Sequence, residues 1–201
     1  AVGSLKEEIV PGHFVLPSQI IDRTRHRRDT YFDEGIVVHV AFGDPMDAKL
    51  AGILKRALER LQLTVHANET LVCMEGPQFS TRAESKLYKS WGAGIINMSA
   101  LPEAKLAREL ELPYQMICMA TDYDAWRDHD HAVTVEDVMR VVKTNSANAQ
   151  KVLKEALGEL AKEKGKLNSL VGSVKFGIMT QAEKRDKALC EKYNAVLPGY
   201  F

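Results

Sequence analysis

Short apolar runs alternate with longer segments of helical spacing along this 201-residue chain. The runs are rich in β-branched and aromatic side chains, which favour strands. They lie at 14–16, 36–42, 70–74, 94–98 and 114–120. Strands that alternate with helices in this way are typical of an α/β fold. The pattern predicts one domain over residues 1–201, a three-layer α/β/α sandwich around a mixed, mainly parallel sheet.

Polar residues at the start of the helical segments predict where each helix begins. Asp44 and Pro45 precede an apolar face of helical spacing, so we expect Asp44 to cap that helix with Asp47 in its first turn. Thr81 and Glu84 fit a capping box, which predicts a helix that ends near 91. Further helices are predicted over 102–112, over 134–160 and from 180 onward.

Composition and charge narrow the possible partners. The 27 basic residues balance the 27 acidic ones, so the overall charge favours neither nucleic acid nor an anionic membrane. The four arginines at 23, 25, 27 and 28 are flanked by Asp22 and Asp29, and we interpret them as a solvated loop. Three widely spaced cysteines without a CxxC pair are typical of a reducing compartment and do not indicate a zinc ribbon.

Chemically useful side chains follow three of the predicted strands. Phe79 and Ser80 follow the run at 70–74, Ser99 follows the run at 94–98, and Asp122 and Asp124 follow the run at 114–120. Ligands of open α/β sheets bind at the carboxyl ends of the strands, so we expect these residues at one edge.

Each of these residues also has an explanation without a ligand. A buried carboxylate beside another has a raised pKa and can protonate a ring nitrogen, yet Asp122 and Asp124 could equally be turn residues. Phe79 could stack on a base or fill the core. Ser80 and Ser99 could bind a ligand or merely cap helices. Taken singly, the residues leave both explanations open.

A metal site is a weaker hypothesis. Residues 128–131 read Asp-His-Asp-His, but consecutive side chains point in different directions and rarely complete one coordination shell. A solvated acidic loop is favoured there, metal-dependent hydrolysis is a remote alternative, and no metal or organic cofactor is predicted. The chain has no Walker A, G-x-S-x-G or G-x-G-x-x-G motif.

Taken together, the motifs resemble the methylthioadenosine phosphorylases of the purine nucleoside phosphorylase family. Matching segments follow the family's order up to about residue 157 and lie at 3–8, 22–24, 75–85, 91–93, 97–98, 102–103 and 119–124. The resemblance implies the nucleoside phosphorylase fold. It also implies that 5′-methylthioadenosine is cleaved by phosphate, the co-substrate, into adenine and 5-methylthioribose 1-phosphate.

The resemblance assigns a role to individual residues. Asp122 is the acid near purine N7, and Asp124 contacts the amino group of the base. Phe79 packs on the base, Ser80 is a specificity position, and Met98 lies under the ribose. The resemblance also assigns phosphate contacts to Ala1 and Ser99, the methylthio pocket to Val135 and Val138, and His39 to the site of a neighbouring subunit.

Two comparisons with this family and its relatives leave alternatives open. Relatives that act on guanosine or inosine carry Asn and Glu where this chain has Asp122 and Ser80, so adenine is the better expectation and a 6-oxopurine or methylthioinosine phosphorylase is an alternative. The family's chain also begins about a third of its length before Ala1, in a part that carries most phosphate ligands. We therefore hypothesise a fragment, a cleavage product or one of two co-assembled pieces.

The second alternative is a purine-binding fragment or subunit that is inactive without that N-terminal, phosphate-binding segment. The remaining expectations concern assembly and location. The resemblance implies a homotrimer in the cytoplasm, with the nucleus as a further compartment. Neither nucleic acid nor a membrane is an expected partner.

Overall fold

Five strands and five α-helices alternate within residues 1–127, 135–163, 167 and 169–201, the part of the chain that the computed structural model describes. The strands are β1 Val2–Ser4, β2 Phe14–Arg23, β3 Val65–Met74, β4 Ile95–Asn97 and β5 Cys118–Tyr123. The helices are α1 Ala48–Arg60, α2 Arg82–Ser90, α3 Glu103–Glu109, α4 Val135–Leu160 and α5 Lys187–Asn194. The α/β class is thereby confirmed.

The sheet is mixed, and its strands close on themselves in the order β1-β4-β3-β2-β5. The pairs β1–β5, β2–β3 and β3–β4 are parallel, whereas β1–β4 and β2–β5 are antiparallel. The mainly parallel sheet is confirmed, but its closure was not predicted. Because β1 and β5 run opposite to the other strands, β5 ends at the other end of the sheet from β3 and β4. The expectation that the three candidate segments share one edge was therefore wrong.

Every strand contributes to one buried cluster, which fills the closed sheet. Its members are Val2, Ile9, Val15, Leu71, Cys73, Ile95, Ala100, Leu101, Ala104, Cys118 and Ala120. Burial raises the pKa of the Cys73 thiol and raises that of Cys118 to about 12, which disfavours the reactive thiolate of both core cysteines.

Helices cover the sheet on two sides, as the sandwich prediction requires. On one side, α1 packs on β2 and β3 while α4 packs on β5 and on α1, and Leu58, Val152 and Phe14 belong to the buried cluster there. On the other side, Tyr88 of α2 packs in a cluster with Leu5, Val72 and Ile96, and Met74 lies against this cluster. Leu5, Val72 and Ile96 thus belong to the outer face of the sheet, the face that carries the candidate site.

The predicted strand at 36–42 was wrong. The segment contributes one isolated antiparallel bridge, from Val38 to Ile178. Ile36, Val38 and Val40 of this segment pack instead in a separate C-terminal cluster with Val174 and Tyr193. The segment at 36–42 is apolar because it packs against the C-terminal residues, although it is not a strand of the sheet.

Several helix starts differ from the prediction. Asp47, not Asp44, caps α1 and accepts a hydrogen bond from Leu50 N at 2.8 Å. The helix expected from Thr180 begins at Lys187, after the cap Asp186. The capping box of α2 is confirmed, and α4 ends at Leu160 as predicted. None of the described helices is both long enough and apolar enough to cross a membrane.

Candidate active site

Gly3 lies between β4 and the two carboxylates of Asp122 and Asp124. It pairs with Ile96 of β4 on one side and with Asp122 of β5 on the other. A Cβ atom on Gly3 would lie 3.1 Å from Ile96 Cγ2. The same atom would lie 3.3 Å from Asp124 Cβ and 3.7 Å from Asp122 Oδ2. Both aspartates therefore approach the outer face of β4 across a residue that has no side chain.

The residues that the sequence predicts to contact the base or the ribose lie next to the same face. Met74 packs against the cluster that contains Ile96, and Ser80 Oγ donates a hydrogen bond to Met74 Sδ at 3.5 Å. The loop from Glu75 to Thr81 also touches Met98, because a Cβ atom on Gly76 would lie 2.6 Å from Met98 Sδ. The aspartates, Ser80 and Met98 are thus linked by successive contacts over β1, β4 and the end of β3.

Asp122 has the electrostatics of an acid. Burial raises the pKa of its carboxyl, and the neighbouring Asp124 raises it further. A hydrogen bond from Thr121 Oγ1 to Asp122 Oδ1, at 2.7 Å, acts in the opposite direction. The net effect is a raised pKa, which increases the protonated fraction at neutral pH. Asp122 lies inside β5 rather than beyond it, so it is held by strand pairing and is not a turn residue.

Asp124 is buried, and its backbone N–H donates to Ser4 O at 3.0 Å. Its Oδ2 is shielded from solvent and has no hydrogen-bond partner among the described residues. An unpaired buried acceptor is costly, and such groups in native structures call for a specific explanation. A donor on a bound base would provide one.

Phe79 and Ser80 are not explained by core packing or capping. The Phe79 side chain is 83% exposed, so it is not a core aromatic. Thr81 caps α2 by accepting from Glu84 N, whereas Ser80 is buried and contacts Met74. Both alternatives to ligand binding were therefore wrong. An exposed phenyl ring beside a buried hydroxyl is suited to stack on an aromatic base.

Ser99 is exposed and lies just beyond β4. Its backbone N–H donates to Asn97 Oδ1 at 3.4 Å, and Asn97 Nδ2 lies 3.5 Å from Ser99 Oγ. The cap of α3 is Pro102, without a side-chain hydrogen bond, so Ser99 does not cap that helix. Its hydroxyl is available to an anion at this position.

Of the other predicted site residues, the structure describes the surroundings of Ala1 and His39. Ala1 is exposed and immediately precedes β1. His39 is exposed and lies beside the C-terminal cluster, where its backbone N–H donates to Gly177 O at 2.9 Å. Val135 and Val138 lie in the first turns of α4, but their side chains are outside the described part of the structure.

Residues 128–131 also fall outside the described residues. Among the residues that are described, no three histidine, cysteine or acidic side chains come together as potential metal ligands. A groove of about 450 Å³ lies beside β2 and α1 and is lined by Pro17, Gln19, Met46, Gly52, Lys55 and Gln115, among other residues. None of the predicted site residues lines it, so the site is assigned from its chemistry and not from cavity size.

Arg27 is the residue that sequence reasoning missed. It was placed in a solvated loop, yet its side chain is only 18% exposed. Its guanidinium donates to Met98 O at 2.7 Å, to Glu75 O at 2.7 Å and to Met74 O at 3.2 Å, and it also bonds Leu101 O. All four acceptors are main-chain carbonyls, which leave no signal in a sequence.

Comparison with known proteins agrees with this geometry. Residues 1–158 match the family model described as the phosphorylase superfamily. The chain is 51% identical over 209 residues to an S-methyl-5′-thioadenosine phosphorylase of Emericella nidulans. All of the chain is covered by that alignment, but the chain spans only 59% of the relative's length.

Two solved structures share the architecture. A methylthioadenosine phosphorylase from an antarctic soil metagenomic library superposes with a TM-score of 0.91 at 38% identity, covering 98% of this chain and 69% of the other. A methylthioadenosine phosphorylase from Schistosoma mansoni, in complex with adenine, gives a TM-score of 0.82 at 29% identity, covering 89% and 70%. The nucleoside phosphorylase fold is thereby confirmed, and this chain belongs to the phosphorylase superfamily.

Proposed function

We propose that the protein cleaves 5′-methylthioadenosine with inorganic phosphate, releasing adenine and 5-methylthioribose 1-phosphate. Relatives and structural neighbours named for this activity support the proposal, as does the neighbour in complex with adenine. Because the chain spans 59% of the first relative, the activity is proposed for the whole protein to which these residues contribute.

The observation that carries the proposal is the partly buried Asp122 carboxyl, whose pKa is raised by desolvation and by the neighbouring Asp124. In the proposed reaction a phosphate oxygen bonds to ribose C1′ while the C1′–N9 bond breaks and its electron pair passes to the purine. Asp122 donates its proton to purine N7 and is left as a carboxylate. Phosphate also stabilises the positive charge that develops on the sugar.

Asp124 favours a 6-aminopurine over a 6-oxopurine. Its buried Oδ2 lacks a partner among the described residues, and this oxygen is placed to accept a hydrogen bond. The amino group of adenine supplies a donor, whereas a 6-oxo group would present a second acceptor. A site built around one hydrogen bond rejects an analogue that lacks the donor. An apolar 5′ pocket discriminates less, by about 1–3 kcal/mol, so adenosine is expected as a weaker substrate.

The proposal includes phosphate at Ser99 and Ala1, with no metal or organic cofactor. It also includes a homotrimer in which His39 reaches a neighbouring site. An apolar surface around His39 supports this assembly, because Phe176 is 86% exposed, Met179 54% and Val37 47%. Large exposed apolar side chains that cluster are typical of interfaces. A location in the cytoplasm and nucleus stays a prediction.

The direct test is release of adenine from 5′-methylthioadenosine, followed by chromatography with and without phosphate. We expect release that requires phosphate, is insensitive to chelators and yields the sugar 1-phosphate. Release without phosphate, or release that chelators abolish, would contradict the proposal. Adenine binding without turnover would instead favour the alternative of a purine-binding subunit.

A further inference from the structure

Arg27 connects two loops that carry opposite sides of the candidate site. Two of its hydrogen bonds go to Met74 O and Glu75 O, where the loop to Phe79 and Ser80 begins. The other two go to Met98 O and Leu101 O, in the segment between β4 and α3. One side chain therefore joins the main chains of both loops.

The geometry requires a guanidinium. Four carbonyl oxygens on two loops are reached by a planar group with five N–H donors in fixed directions, and a lysine ammonium presents only three donors from a single point. The positive charge is balanced by Glu75, whose Oε2 lies 3.4 Å from Arg27 Nε. The same oxygen accepts from Arg25 N at 2.8 Å, which fixes the arginine loop to the loop after β3.

We propose that Arg27 is a positioning residue of the reaction, which sets the separation between the base-binding loop at 75–81 and the ribose- and phosphate-binding loop at 98–101. The inference rests on the proposed function. Phe79 and Ser80 act on the base, whereas Met98 and Ser99 act on the sugar and phosphate. The glycosidic bond lies between these groups, and a shift of about 1 Å in their relative position can slow a reaction about 100-fold.

The test substitutes Arg27→Lys in the full chain and uses Arg28→Lys as its matched control. Arg28 is the adjacent arginine, but its side chain is 69% exposed and is paired with Asp33 at 2.8 Å. The measurements are kcat and KM for methylthioadenosine, the affinity for adenine, and hydrogen exchange of the amides in both loops. All are made well below the unfolding temperature, so that loss of folded protein does not contribute.

We expect Arg27→Lys to lower kcat at least tenfold, to raise KM, and to speed exchange in both loops together, while Arg28→Lys matches the unsubstituted protein. Wild-type exchange in either loop would overturn the proposal. So would faster exchange with unchanged kcat and KM, because that result describes a purely structural arginine. If the unsubstituted protein shows no turnover, the proposed function fails separately. In that case the affinity for adenine tests the role of Arg27. A tenfold loss of affinity in Arg27→Lys supports its role as a positioning residue, and an unchanged affinity refutes that role.

Discussion

Substitution of Gly76 by alanine probes how closely the two loops approach each other. Gly76 has φ +74°, where an L-residue with a Cβ is strained by about 1–2 kcal/mol. The added Cβ would lie 2.6 Å from Met98 Sδ, too close for any real contact. Met98 is flexible, so it can rotate away at a cost of about 0.5–1.5 kcal/mol. We therefore expect Gly76→Ala to lower the free energy of unfolding by roughly 1.5–3.5 kcal/mol.

Gly92 supplies the control. Its φ is +81°, but no heavy atom lies within 4 Å of the Cβ that alanine would add. Gly92→Ala should thus show the backbone strain alone, about 1–2 kcal/mol. Urea unfolding gives the stability of both variants, and equilibrium titration gives their affinity for adenine and methylthioadenosine.

The two variants separate strain from site geometry. We expect only Gly76→Ala to weaken nucleoside binding, because only that substitution displaces Met98 from the position assigned to it under the ribose. Equal losses of stability together with equal, undiminished affinities would refute the reasoning. That outcome would mean that Met98 is neither held by Gly76 nor part of the site.

Two further substitutions test local elements. Thr81→Ala removes the capping box of α2 and should lower the free energy of unfolding by about 1 kcal/mol, measured by urea unfolding. The control is Ser90→Ala, which removes a hydroxyl that donates to Leu87 O at the other end of the helix. An equal loss of stability in both variants would contradict the capping role of Thr81. Burial raises the Asp122 pKa on folding, so the ionised carboxyl destabilises the folded chain above that raised value, and this cost disappears below the unfolded value near 3.8. Asp122→Asn should therefore raise the urea midpoint at neutral pH and by less as the pH falls toward about 4, whereas a benefit that grows on acidification would contradict the raised pKa.

The sequence predicted those helices whose ends and spacing are set by residues close together in the chain. The capping box at Thr81 and Glu84 predicted α2, and apolar spacing predicted the end of α4 at Leu160. The strand prediction at 36–42 failed because an apolar run indicates that a segment is buried but not which part of the protein buries it. β1 was not predicted, because it is only three residues long, Val2–Ser4, and its strand partners lie far along the chain.

In the candidate site, too, local motifs were predictable from the sequence, whereas contacts between distant residues were not. Phe79, Ser80, Asp122 and Asp124 were identified as candidates because they stand in recognisable motifs. The expectation of one shared sheet edge was wrong, because β5 runs opposite to β3 and β4 and the aspartates approach β4 across Gly3. Arg27 was missed because its partners are backbone carbonyls, which any residue supplies. Tertiary contacts of this kind are set by topology and not by local pattern.

The most direct test of the central claim is the turnover of Asp122→Asn on 5′-methylthioadenosine, measured beside the unsubstituted protein under saturating phosphate. Asparagine keeps the shape of the side chain and an acceptor for Thr121 Oγ1 but cannot donate a proton as a carboxylic acid does. We predict that kcat falls by about 10²–10⁴-fold while circular dichroism shows a retained fold. Turnover within about twofold of the unsubstituted protein would contradict the assignment of Asp122 as the acid, because general acid catalysis contributes far more than that.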